Sequence, residues 1–133
     1  MPEGHTLHRL ARSLAGRFAG GPVAVSSPQG RFAADAALVD GMRLDDVTAH
    51  GKHLFAAFGD RVVHVHLGLF GKVREGPGDP PPPVGAVRMR WVAEGGWSDL
   101  RGPTACDVLV PSEVDEILAR LGPDEPAAVD GGE

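Results

Sequence analysis

The chain begins Met1-Pro2-Glu3. Pro is compact enough to follow a removable initiator Met, and removal leaves Pro2 with a free secondary amine. An α-amino group titrates at roughly 7.7–8.0, against about 10.4 for a lysine, so a usable fraction is neutral near pH 7. Attack of such an amine on an aldehyde-like carbon gives an iminium ion, which holds its positive charge without a proton and draws electrons from the adjacent carbons. This is covalent catalysis of the Schiff-base kind. Glu3 stands next to the amine and is placed to move protons. A helix starting directly behind it offers backbone N–H groups and a positive dipole end, both suited to an anion. The plain alternative is an ordinary Met-Pro start with an acid at a helix terminus.

Four further stretches carry side chains with chemistry. In "HGKHLF", Lys52 follows a glycine at the start of a strand, where it can reach from a turn towards an anion or simply be solvated. In "HVHLGLFGK", His64 and His66 fall on one face by the period of two. Two histidines are short of a metal site, and a neutral core or groove role fits them better. The following "LGLFG" places Leu69 and Phe70 on a glycine-bounded turn, with Lys72 just after. They either pack on the domain or act as a wedge of the type that unstacks base steps. In "SDLRGP", Arg101 sits before Gly102-Pro103 with planar donors suited to a base edge or a phosphate, the alternative being an ion pair with Asp99 or Asp107.

These residues need a frame. Leu7, Leu10, Ala11, Leu14 and Phe18 recur at helical spacing, which predicts a helix over about 4–16 ending near "AGG". "PVAVSSP" reads as a short strand, and "RFAADAALVDG" is ambiguous, compatible with one turn of helix. From Met42 onward the signals are β: "RLDDVTAHG", "KHLFAAFG" and "RVVHVHLGLFGKVRE", joined by tight turns at His50-Gly51 and Gly59-Asp60. The five prolines of "GPGDPPPPVG" remove five donors and make an exposed loop. "AVRMRWVAE", "GGWSDL" and "ACDVLVP" complete the strands. "SEVDEILARLG" is a helix with Ser112 as its expected cap and a Gly-Pro stop. The fold class is α+β, a mainly antiparallel β-sandwich flanked by an N-terminal and a C-terminal helix. Residues 1–122 form the domain, and 123–133, without periodicity, form a linker or tail.

The 133 residues suffice for one domain. No apolar run reaches bilayer length, and the polar first ten residues do not make a signal peptide, so a cytoplasmic protein is expected. The single cysteine, Cys106, excludes an internal disulfide framework and a zinc cage. Net charge is −5, unusual for a nucleic-acid binder. The acids cluster after residue 112, however; without residues 113–133 the charge is +1, which leaves room for a local basic groove.

Taken together, "MPEGHTLHRLAR", "VTAHGKHLF", "HVHLGLFGK", "SDLRGP" and "LGPD" resemble, in order and spacing, the formamidopyrimidine-DNA glycosylase / endonuclease VIII family, nearer the endonuclease VIII branch. The resemblance runs to about Asp124. It implies base-excision repair of oxidised bases with AP lyase activity, acting on damaged duplex or abasic-site DNA. Pro2 matches the nucleophile that attacks C1′, Glu3 the acid that assists sugar-ring opening, and Lys52 a phosphate-contacting lysine. Leu69 matches a void-filling residue, with Phe70, His66 and Lys72 beside it on the DNA-binding face. Arg101 matches an arginine inserted opposite the flipped nucleotide. Flipping is required because an amine cannot reach C1′ of a stacked nucleotide. Thr6 stands where the family has a second early Glu, and Pro103 or a near neighbour where it has an aromatic wedge. The family's helix–two-turn–helix and zinc finger do not follow "LGPD", so no cofactor is expected in this chain, and weak, salt-sensitive DNA binding with little turnover is. A monomer is expected.

Two other classes fit parts of the pattern. A tautomerase-like enzyme also uses an N-terminal proline, but opening a β-strand. A non-catalytic DNA- or protein-binding module would keep the sandwich and retain Met1.

Overall fold

The computed structural model describes residues 3–122, with side chains from Leu7 onward. Pro2, the Glu3 side chain and the expected 123–133 tail lie outside the described residues.

The first helix, α1 (Glu3–Phe18), is built on the stripe that periodicity predicts: Leu7, Ala11, Leu14 and Phe18 are all buried, while Arg9 and Arg12 face solvent. Its C-terminal half is tied down by polar contacts. Glu75 accepts from Arg17 Nε at 3.0 Å and from Ser13 Oγ at 2.9 Å, and Arg17 Nη1 donates to the Gly95 carbonyl at 2.9 Å. That approach needs Gly95, because a Cβ there would stand 2.2 Å from the Arg17 carbonyl oxygen. The helix is longer than predicted by one residue at its start and two at its end, where Phe18 makes an edge contact with Trp91 at 5.3 Å.

The remaining elements are, in chain order, β1 (Ala24–Ser26), α2 (Ala33–Val39), β2 (Asp46–His50), β3 (His53–Phe58), β4 (Arg61–His66), β5 (Lys72–Gly76), β6 (Val87–Ala93), β7 (Gly96–Arg101), β8 (Ala105–Leu109) and α3 (Pro111–Leu121). Two four-stranded antiparallel sheets form, ordered β1-β6-β7-β5 and β2-β3-β4-β8. The α+β sandwich with a helix at each end is therefore present. Its inner faces alternate as a half-buried sheet requires: Leu54, Ala56, Phe58, Val63 and Val65 from one sheet meet Met89, Trp91 and Leu100 from the other. α1 packs on β2 and β3, α2 on β1 and β8, and α3 on β4.

Three expectations are corrected. The β run 61–75 does turn at "LGLFG", between Leu67 and Gly71, but its halves are not neighbours in one sheet: they join different sheets. The 33–39 segment is two turns of helix rather than one, because Ala36 and Val39 bury a shared face and the Asp40 carboxylate accepts from Val25 N–H at 2.8 Å. Ser112 does not cap α3. Val110 occupies the N-cap, Pro111 opens the helix, and the Glu113 carboxylate accepts from Val110 N–H at 2.9 Å.

Candidate nucleic-acid interface

Three turns converge at one end of the sandwich. The β2–β3 connection is Gly51-Lys52, one residue later than the expected His50-Gly51. Gly51 has φ of 60°, and a glycine-first two-residue turn suits a hairpin. The β4–β5 loop starts with Leu67, whose N–H donates to the Lys52 carbonyl at 3.1 Å. The β7–β8 turn comes after Arg101, and Thr104 N–H donates to the His66 carbonyl at 2.8 Å. Packing between the last two is close: a Cβ on Gly68 would stand 2.0 Å from Thr104 Oγ1, and one on Gly102 2.8 Å from the Phe70 carbonyl oxygen. Where these turns meet α1, Leu7, Leu10, Lys52, Leu67, Leu69 and Gly71 line a pocket of ≈ 200 Å³. From α1 the pocket takes Leu7 and Leu10.

The candidate residues gather here. Lys52 and Lys72 are exposed, and Lys72 pairs in register with Arg101 across β5 and β7. Leu69 is 73% and Phe70 77% exposed, so the loop-tip apolar side chains are not packed on the domain. They project into solvent. Arg101 pairs with neither Asp99 nor Asp107: its Nη1 donates to the Val84 carbonyl at 3.3 Å. Asp99 is held instead by Arg90 in a two-pronged, largely buried pair at 2.7 and 2.8 Å, and Arg90 also donates to the Pro81 carbonyl at 2.7 Å. The proline-rich loop is thus pinned to the outer face of its sheet. The hydrogen bond from Arg90 to Asp99 raises the guanidinium's already high pKa. Pro103 is buried and does not stand in as a wedge.

His64 and His66 do share a face, and the structure adds two histidines to it. His53 pairs in register with His66, Phe55 with His64, and His50 with His53. The rings stack: His53 on His66 with centroids 4.3 Å apart, and His64 against both His53 and Phe55 at 5.1 Å. His53 Nδ1 lies 2.9 Å from His64 Nε2, and His64 Nδ1 lies 3.1 Å from Asp107 Oδ1. His50 Nε2 donates to the Gly122 carbonyl at the end of α3. Burial, reinforced by the neighbouring His66, His64, His50 and Arg120, lowers the His53 pKa to about 4. Among the described residues no group of three or more His, Cys, Asp or Glu is arranged to hold a metal ion. The signal for this row lay in the turn: a two-residue connection at Gly59-Asp60 sets 53 opposite 66 and 55 opposite 64.

Two other features are not sites. The void between the sheets is ≈ 30 Å³ and walled almost wholly by apolar side chains such as Leu54, Val65, Met89 and Leu100. The Cys106 thiol is pushed up to about 12, chiefly by burial, which disfavours its nucleophilic thiolate form. Among the described residues no helix is long and apolar enough to cross a membrane.

Residues 1–105 match the sequence model of the formamidopyrimidine-DNA glycosylase N-terminal domain. Proteins named Endonuclease 8 1 from Mycobacterium bovis and Mycobacterium tuberculosis are 55% identical over 129 residues, covering 93% of this chain and 48% of theirs. The chain therefore spans about half the length of the curated relatives it matches. Among solved structures, MutM in complex with DNA containing carbocyclic 8-oxo-G superposes with a TM-score of 0.68 at 18% identity, over 84% of this chain and 46% of that one. The Lactococcus lactis formamidopyrimidine-DNA glycosylase non-covalently bound to DNA containing an AP site gives 0.68 at 17% identity, over 84% and 46%. At that identity the likeness concerns the fold.

Proposed function

Because the chain belongs to the formamidopyrimidine-DNA glycosylase N-terminal domain family, we propose that residues 1–122 are the catalytic domain of a cytoplasmic base-excision repair glycosylase with AP lyase activity of the endonuclease VIII type. The observation that carries this reading is the convergence of the Lys52 turn, the Leu69-Phe70 tip and the Arg101 turn around a pocket against the first part of α1. A tautomerase-type proline would open a β-strand, whereas here a helix begins at Glu3.

In the proposed reaction the Pro2 nitrogen lone pair forms a bond to C1′ of an extruded nucleotide. The C1′–base bond breaks, and the base leaves with a proton. Glu3 protonates the ring oxygen as the sugar opens, the proline N–H proton is lost, and a C1′ iminium remains. Loss of a C2′ proton then expels the 3′ phosphate, and a second elimination expels the 5′ phosphate. Lys52 holds a backbone phosphate beside the lesion. Leu69 and Phe70 fill the space left in the stack, as apolar wedges do. Arg101 faces the orphaned base, with His66 and Lys72 supporting the backbone nearby. Such a charge set makes binding fall with salt.

The test is borohydride trapping. Incubating the chain with abasic-site duplex and borohydride should reduce the iminium to a stable amine, giving a covalent protein–DNA band. Pro2→Gly, which keeps a primary amine, should trap more weakly, and a form retaining Met1 should not trap. No band from protein confirmed to begin at Pro2 would sink the catalytic reading and leave a binding module.

A further inference from the structure

The histidine row has an internal logic that fixes where its protons sit. Asp107 is a carboxylate and can only accept, so His64 must donate to it from Nδ1. A neutral His64 then carries a lone pair on Nε2, which must accept from Nδ1–H of His53. His53 in turn has its lone pair on Nε2. The order of tautomers therefore runs one way, from β8 through β4 to β3. His64 is almost fully buried, at 7% exposure, and sits between Phe55 and His53, so its ring has no room to flip. His53 adjoins Lys52 in sequence and lies flat against His66, whose carbonyl anchors Thr104 and whose next residue, Leu67, anchors the Lys52 carbonyl.

We propose that Asp107 and His64 are positioning residues: by ordering the His53 tautomer they hold the His53 ring as a rigid platform under His66 and the Lys52 turn. The proposal rests on that end being the DNA-facing one. Among the described residues the groups that bear on His53 are His66 and His64 from β4, His50 from β2 and Arg120 from α3, with Asp107 from β8 reaching it only through His64. Burial first, and then the charges of those three histidines and Arg120, keep His53 uncharged well below neutral pH. A proton added to His64 Nε2 would set donor against donor at the His53 contact, so charging the row and breaking the platform are one event.

Long-range proton–nitrogen spectra of the imidazoles, recorded on the chain without DNA, read the tautomers directly. At neutral pH both His64 and His53 should carry their proton on Nδ1. In Asp107→Ala, a change at a half-exposed side chain, His64 should mix tautomers, His53 should respond in step, and the Lys52 and Leu67 amide signals should move. Asp107→Glu should restore the wild-type pattern in part. His64→Phe keeps the stack and removes the relay, and should move the His53 titration upward. Anisotropy with an abasic-analogue duplex should show Asp107→Ala binding about fivefold more weakly, the size of one net hydrogen bond. Trapping at saturating DNA should be unchanged.

A wild-type His64 protonated on Nε2, or tautomers indifferent to Asp107→Ala, overturns the relay. So does a tautomer change that moves neither the Lys52 and Leu67 amides nor DNA affinity. Failure of the repair reading is separate: it shows as absent trapping by the wild type while the spectra still judge the relay.

Discussion

Gly68 lies directly against Thr104, with φ of 68° and no space for a Cβ. Two loops that each cross between the two sheets are thereby locked together, and Leu69 and Phe70 project from one of them. Gly68→Ala should lose about 1–3 kcal/mol, from left-handed strain plus the forced retreat of Thr104. A urea midpoint that falls at unchanged slope checks it. Abasic-duplex binding should fall as well, because the tip is no longer held.

The tip itself stabilises nothing. Leu69→Ala with Phe70→Ala should leave unfolding free energy within about 0.5 kcal/mol of the parent, as expected for exposed side chains. Affinity for abasic duplex should drop by roughly tenfold or more, in line with the ~1–3 kcal/mol of base-stacking contacts. A drop in melting temperature without loss of binding would show that the two side chains pack on the domain instead.

The Arg90–Asp99 pair should behave oppositely. Asp99→Ala strands a largely buried guanidinium and should cost about 3–5 kcal/mol. Replacing both, as Arg90→Met with Asp99→Leu, should recover most of that loss, because no charge is left uncompensated. Thermal melts of the three variants form the comparison. The double variant should also release the Pro81 carbonyl, visible as faster proteolysis in the 77–84 loop.

Acid should weaken the fold through His53. Its folded pKa, about 4, lies below the ordinary 6.5, so the unfolded chain takes up the proton first. Above pH 6.5 the group contributes nothing to pH dependence. Between about 6.5 and 4 it makes stability fall as pH falls, and below that it adds no further change. His53→Phe, which keeps a stacked ring, should flatten the stability profile across that window in denaturant titrations.

Much of the frame was legible because burial imposes period. Leu7, Ala11, Leu14 and Phe18 announce α1, and the alternation Val87, Met89, Trp91 announces β6 despite its bulge between Val87 and Met89. The break after His66 was legible as a glycine-bounded turn, but not the change of sheet that it brings, β4 and β5 lying in different sheets. Nothing local tells a turn within one sheet from a crossing between two, and the close approach of Gly68 to Thr104 that accompanies the crossing is tertiary. Among candidate site residues, Lys52, Leu69, Phe70 and Arg101 stood out by type at glycine-bounded turns. His53 did not, because a histidine beside a lysine carries no signal until the Gly59-Asp60 turn is used to lay the strands side by side. Ser112 misled for a local reason: its type favours a cap, but Pro111 takes the first helical position and moves the cap to Val110.

The raised pKa of the Cys106 thiol has a practical corollary. With the chain's single thiol half-buried and its pKa raised to about 12, a cysteine introduced at Leu69 or Arg101 would be the faster-reacting thiol of the two. Maleimide dyes or thiol-tethered oligonucleotides would then attach first at that chosen point, and the distance from each loop to a lesion becomes measurable without first removing a native residue.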